Sequence, residues 1–180
     1  MTTPKNLINE EKAGMLKLLF LDVDGVMTDG QITMNDEGEE TKSFNVKDGL
    51  GLRLLVTAGI EVIIITGRKS GAVKHRAQDL GIEEVYQGVG DKRALCRQLM
   101  KEKGLGKQEV GCIGDDLPDL PMFMEAGLRI AVADAAKEVR DEADFITQKG
   151  GGSGAVREAC EWLLKCQGKW TDVTTPFKGK

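Results

Sequence analysis

Short, strongly apolar runs punctuate this chain, and polar, amphipathic stretches separate them. Leu18-Leu19-Phe20-Leu21, Val62-Ile63-Ile64-Ile65 and Val110-Gly111-Cys112-Ile113 are strand-length runs without a polar face. Such runs are the mark of parallel strands covered on both sides. Strands are predicted at 18–23, 61–65, 84–86, 110–113 and 129–132, and a weaker one at 145–147. Helical spacing of apolar positions predicts helices at 49–58, 71–80, 92–103, 117–125, 137–141 and 154–165. This βα rhythm predicts an α/β fold: a three-layer, Rossmann-like parallel sheet with helices on both faces and right-handed crossovers. Its functional site should lie at the carboxyl ends of the strands.

One segment breaks the rhythm. Gln31-Ile32-Thr33-Met34 and Thr41-Lys42-Ser43-Phe44 flank the polar turn Asn35-Asp36-Glu37-Gly38, which predicts a β-hairpin. It follows the first strand directly, so it should project over the strand ends as a small flap, with no cap domain. The expected organisation is a single domain over 14–167, with the flap at about 31–44 and terminal segments at 1–13 and 168–180.

Composition narrows the partners. The 180 residues carry 25 Lys and Arg against 29 Asp and Glu, a net charge of −4. There is no basic surplus to suggest nucleic acid or an anionic membrane, so an anionic ligand must be held by locally placed cations. The first residues are polar and no apolar run approaches a membrane span, which predicts a cytoplasmic protein. Cys96, Cys112, Cys160 and Cys166 form no Cys-x-x-Cys pair, and His75 is the single histidine. Reduced thiols are expected, and no zinc site.

The polar residues that close the strands carry the chemistry. Asp22 and Asp24 follow the first run at i and i+2, so in an extended backbone both carboxylates point the same way, and Gly25 lets the chain turn off. Two like charges held together call for a cation or a phosphoryl group between them. A calcium EF-hand is excluded, because Met27 stands where its glycine must be. Thr66-Gly67-Arg68 ends the second run and can grip a phosphate through a hydroxyl and backbone N–H groups. Lys92 opens a helix after Gly90-Asp91, and Asp115, Asp116 and Asp119 follow another buried run. Taken singly, each has a plain structural reading: a turn, a helix cap, a surface lysine, an acidic helix start.

Together and in this order they resemble the haloacid dehalogenase-like superfamily of Mg²⁺-dependent phosphohydrolases, over roughly residues 16–165. The flap in place of a cap, Phe44-Asn45-Val46-Lys47-Asp48-Gly49 and Gly151-Gly152-Ser153-Gly154-Ala155-Val156-Arg157-Glu158 look like the 3-deoxy-D-manno-octulosonate 8-phosphate phosphatase family. Its members act on a precursor of the lipopolysaccharide inner core and form homotetramers. Lys47 stands where that pattern has arginine, keeping the charge without the bidentate fork.

The resemblance implies a phosphoric monoester hydrolase. Asp22 would be the nucleophile and Asp24 the general acid and base, with Thr66 and Lys92 stabilising charge on the transferring group. Mg²⁺ would be held by the Asp22 carboxylate, the Asp24 backbone carbonyl and the Asp115 carboxylate, with Asp116 and Asp119 ordering waters and Lys92. The sugar-acid phosphate would meet Asp24, Asn45, Val46, Lys47, Asp48, Gly49, Arg53, Arg68, Arg76 and Lys92, Arg76 reaching a neighbouring subunit's site. A related nine-carbon keto-sugar acid phosphate remains an alternative substrate. A non-catalytic regulatory homologue would lack Asp22 or Asp24, and both are present. A nucleotide-binding P-loop is excluded, because Gly88-Val89-Gly90-Asp91-Lys92 lacks its spacing and its Ser or Thr.

A hairpin this small cannot enclose a sugar phosphate alone, and Ile32, Met34 and Phe44 on it need burial. A homotetramer with sites at subunit interfaces is therefore expected. The glycine run at 150–154 is expected to bring its backbone close to a partner. The tail from Gln167, carrying Trp170 and Phe177, reads either as an arm to an adjacent site or as disordered chain.

Overall fold

Leu18–Leu21 (β1) sits at the centre of the sheet in the computed structural model, which describes residues 4–179. It pairs on one side with β4 (Glu61–Thr66) and on the other with β6 (Val110–Gly114), Leu18 lying opposite both Glu61 and Val110. β5 (Glu84–Gln87) extends the sheet beyond β4, and β7 (Leu128–Ala131) and β8 (Phe145–Ile146) extend it beyond β6. The six-stranded order is β5-β4-β1-β6-β7-β8, and every pair is parallel. All four β1 side chains and all of β6 are buried. Each large apolar side chain so covered contributes about 1.5–3 kcal/mol.

The chain moves outward from β1 to β4 and β5, then crosses back to β6 on the other side. The direction of winding thus reverses between β1 and β6, and a crevice opens there at the carboxyl ends. Helices flank the sheet. α2 (Val46–Thr57) packs on α7 (Ala155–Cys166) and on α3 (Gly71–Leu80), and α4 (Lys92–Lys103) packs on α5 (Leu120–Glu125). α6 (Lys137–Glu142) joins β7 to β8. β2 (Thr33–Met34) and β3 (Glu40–Thr41) form the separate antiparallel flap.

The elements differ from the sequence pattern where polar side chains set the boundaries. β1 stops at Leu21, because the Val23 carbonyl accepts from the N–H groups of Val26, Met27 and Thr28 and closes a turn. α2 begins three residues before the predicted start at 49, because the Asn45 side chain accepts from Lys47 N at 2.8 Å and caps it. The helix predicted at 117–125 is a 3-10 turn, Leu117–Asp119, capped by Asp116, followed by α5. The flap strands are each two residues long, shorter than predicted. A helix that the apolar pattern does not announce, α1 (Pro4–Gly14), is tied down by polar bonds: Asn9 Nδ2 donates to the Asp144 carbonyl at 2.6 Å and Lys12 pairs with its carboxylate at 2.7 Å.

The glycine run at 150–154 packs on its own chain. A Cβ on Gly151 would lie 1.8 Å from the Gly25 carbonyl oxygen, so only glycine fits against the turn after β1. Gly152 N donates to Val26 O at 3.0 Å, and Gly151 N donates to Asp134 Oδ1 at 2.9 Å. This close approach gives the run a role within its own chain. The tail forms a short helix, α8 (Trp170–Thr174), and the Trp170 ring lies under the Arg157 guanidinium (5.6 Å) and the Lys165 ammonium (5.4 Å).

Candidate active site

The crevice between β1 and β6 is a cavity of about 450 Å³, lined by Asp22, Asp24, Thr66, Arg68, Lys92 and Asp115 among others. Each residue is delivered by a strand end or the turn after it. Asp22 directly follows β1, and its N–H still donates to Ile113 O at 3.2 Å, which holds it in line with the sheet. Thr66 is the last residue of β4, Asp115 directly follows β6, and Lys92 opens α4 behind the Asp91 cap.

Lys92 ties the acidic cluster together. Its Nζ donates to Asp22 Oδ1 and to Asp119 Oδ1, each at 2.6 Å, and all three side chains are buried. Asp119 in turn accepts from Asp115 N at 2.9 Å through Oδ2, fixing the loop that carries Asp115. Burial alone would lower the Lys92 ammonium, but Asp22 and Asp119 raise it above its ordinary value and keep it charged.

The carboxylates remain in excess. Burial, aided by Asp119 and opposed by Lys92, pushes Asp22 up to about 7. Burial, with Asp119, Asp22 and Asp116 adding to it, pushes Asp115 up to about 8. Asp22, Asp115 and Asp119 offer oxygens that all lie within 4.8 Å of one another. The Asp115 carboxylate pairs with no cationic side chain among the described residues, yet it lies so close to the turn after β1 that a Cβ on Gly25 (φ +88°) would meet its Oδ2 at 2.0 Å. Hard oxygen donors, crowded and short of positive charge, fit a small divalent cation.

Asp24 faces the flap. Thr66 Oγ1 donates to Asp24 Oδ2 at 3.4 Å and accepts from Arg68 N at 3.3 Å. Lys42, from the flap, donates to Asp24 Oδ1 and lies 2.7 Å from Glu40 Oε1, while Arg68 donates to Glu40 Oε2. Lys42 and Glu40 were not singled out by the sequence pattern. Their signal was available: charged residues at i and i+2 of an extended strand share a face, and here that face looks onto the site.

Other expected contacts lie elsewhere. Asn45, Val46, Lys47, Asp48, Gly49, Arg53 and Arg76 do not line this cavity. The Asp48 side chain is buried and accepts from Gly154 N (3.3 Å) and Arg157 N (2.8 Å), capping α7. Val46, Lys47 and Arg53 are exposed on α2. Arg76 from α3 lies against Gly49, where a Cβ would meet its Nη2 at 2.0 Å, and its buried Nε has no partner. Asp116 serves as the cap of the 3-10 turn.

A model of haloacid dehalogenase-like hydrolases matches residues 81–158. The 3-deoxy-D-manno-octulosonate 8-phosphate phosphatase KdsC of Escherichia coli K12 is 48% identical over 158 residues, spanning 88% of this chain and 84% of that one. The chain belongs to the 3-deoxy-D-manno-octulosonate 8-phosphate phosphatase family. The Yersinia pestis family member is 44% identical over 91% of this chain and 88% of its own. Among solved structures of the family, that from Moraxella catarrhalis, in complex with magnesium ion, phosphate ion and KDO molecule, superposes with a TM-score of 0.91 at 46% identity, covering 94% of this chain and 98% of that one. The cobalt-bound form from Haemophilus influenzae gives 0.85 at 41% identity, over 89% and 94% of the two chains.

Proposed function

We propose that this protein is a Mg²⁺-dependent phosphatase that hydrolyses 3-deoxy-D-manno-octulosonate 8-phosphate to the free sugar acid and phosphate, a step towards the lipopolysaccharide inner core. The observation that carries this reading is the 48% identity to the Escherichia coli enzyme over 88% of the chain, joined to a cavity holding the acidic triad, Lys92, Thr66 and Asp24. The reaction is assigned to one domain over 14–167, in the cytoplasm. No helix among the described residues is long and apolar enough to cross a membrane.

The Asp22 carboxylate attacks phosphorus in line, and the bond to the sugar oxygen breaks to leave an aspartyl-phosphate. Asp24 gives its proton to the departing sugar oxygen. It then takes a proton from the water that attacks the aspartyl-phosphate, which releases phosphate and restores Asp22. Thr66 and the Lys92 ammonium stabilise the phosphoryl oxygens as charge builds on them. The cation would be held by the Asp22 and Asp115 carboxylates with the Asp24 backbone carbonyl. When bound, it neutralises the carboxylate cluster and the charge of the phosphoryl group. Asp119 acts by holding Lys92 and the Asp115 loop, and Asp116 by capping the turn beside it.

We also read the active form as a homotetramer with its sites at subunit interfaces. Ile32 and Met34 on the flap are each 56% exposed and Val46 beside it 76%, an apolar surface that assembly would cover. In such an assembly Arg76 would reach the site of a neighbouring subunit, and Lys47 and Arg53, exposed on α2, would be free to meet substrate.

The test is Mg²⁺-dependent phosphate release from a panel of the eight-carbon and nine-carbon keto-sugar acid phosphates, simple sugar phosphates and p-nitrophenyl phosphate. The eight-carbon acid should turn over fastest, and Asp22→Asn should abolish release with its circular dichroism unchanged. Equal turnover of uncarboxylated sugar phosphates, or near-wild-type release by Asp22→Asn, would overturn the reading.

A further inference from the structure

The flap carries a carboxylate into the site. Glu40 lies in β3, two positions before Lys42, so both side chains leave the same face of the hairpin. Each Glu40 oxygen meets a cation: Oε2 accepts from Arg68, and Oε1 lies 2.7 Å from Lys42 Nζ. Lys42 also pairs with Asp24, and its side chain is only 3% exposed. Lys42 and Arg68 hold the Glu40 carboxyl below its usual range.

The cations of this site are few and already engaged. Lys92 is held between two buried carboxylates, and Lys42 bridges Asp24 and Glu40. Arg68 lines the cavity, its partner is Glu40, and its Nε is buried with no hydrogen-bond partner. A guanidinium with an idle donor, facing the cavity and bound to a carboxylate on a short hairpin of two-residue strands, is built to exchange one carboxylate for another. A sugar-acid phosphate supplies such a group at the end remote from its phosphate.

We propose that Glu40 is an internal stand-in for the carboxylate of the sugar acid, holding Arg68 and Lys42 in the empty enzyme and competing with substrate and product for them. The inference rests on the substrate reading above and deepens it. Entry of the sugar acid transfers Arg68 from Glu40 to the ligand and frees the flap. After phosphate transfer, the product keeps the same carboxylate but has lost the phosphate that anchored it. Glu40 then recaptures Arg68 and speeds release of the product. Glu40 thus sets the affinity for the acid on binding and release, with no part in the chemical step.

Glu40→Gln keeps the side-chain size and removes the competing charge. For a partly exposed ion pair the expected change is about fivefold. KM for 3-deoxy-D-manno-octulosonate 8-phosphate and the inhibition constant of the free sugar acid should both fall about fivefold. KM for p-nitrophenyl phosphate, which has no carboxylate, should stay within twofold, and Glu37→Gln in the flap turn should change none of these. Unchanged constants for the sugar acid would overturn the proposal. So would a raised KM, which would make Glu40 an acceptor for sugar hydroxyls, or an equal fall for p-nitrophenyl phosphate, which would make the effect general electrostatics. Wild-type enzyme active on p-nitrophenyl phosphate but inert to the sugar-acid phosphate would instead remove the substrate reading, and this inference with it.

Discussion

Removing divalent cations should make the stability of this protein fall as pH rises, against the usual behaviour of acidic residues. In the metal-free fold, burial and like charge lift Asp22 from 3.8 to about 7 and Asp115 to about 8. A carboxyl whose folded value is raised binds its proton more tightly folded than unfolded. Its contribution is therefore full below the unfolded value and is lost as pH rises through the folded one. For Asp22 alone, the span from pH 5 to pH 8.5 removes roughly 3 kcal/mol. Asp115 adds less than its own share, because it shares Asp119 as a neighbour with Asp22 and one proton relieves both. Urea unfolding of exhaustively chelated protein should show the midpoint dropping by about 1 M over that range, at an m-value of roughly 2–3 kcal/mol/M. With millimolar MgCl2 the cation replaces the missing positive charge and binds the ionised form, so the high-pH midpoint should recover. A midpoint in chelated protein that stays flat or rises from pH 5 to pH 8.5 would refute the electrostatic account of the cluster.

Two further outcomes follow from the geometry. Asp48→Ala removes the acceptor for the Gly154 and Arg157 N–H groups at the start of α7 and should cost about 2 kcal/mol in urea unfolding. Its KM should stay within twofold of wild type, and a large rise in KM with little loss of stability would instead give Asp48 the substrate contact that the family pattern implies. Sedimentation equilibrium at micromolar concentration should return a tetramer, and a fully active monomer would contradict assembly around the flap.

The sheet was legible because its central strands are buried on both faces. Leu18–Leu21 and Val110–Gly114 cannot be read as anything that meets water. Asp22, Thr66 and Asp115 were legible for a related reason, since each is a polar residue that closes such a run at the crevice, whereas Lys92, at the start of α4, was legible only through the order of the motifs. What was hidden depends on partners far along the chain. Asp48 sits within a substrate-binding pattern, yet its carboxylate caps a helix 106 and 109 positions later. α1 carries too few apolar positions for a pattern, and it is fixed by Asn9 and Lys12 on Asp144. The start of α2 turned on one Asn45 hydrogen bond, a local detail that the run of apolar residues does not encode.

The contact between Gly151 and Gly25 also bears on how the protein comes into being. Asp22 and the turn that follows it come early relative to their brace, which is backbone from residues 151 and 152. During synthesis, β1 and its aspartates leave the ribosome long before that brace exists, and β6, which supplies Asp115, also arrives late. A nascent chain released short of residue 152 would carry Asp22, Thr66, Lys92 and Asp115 and still lack the wall that sets the turn. Domains gather such long-range contacts slowly. Catalytic competence should therefore appear only when residues 151 and 152 have docked on the turn after β1, so that translation products truncated before them remain inert.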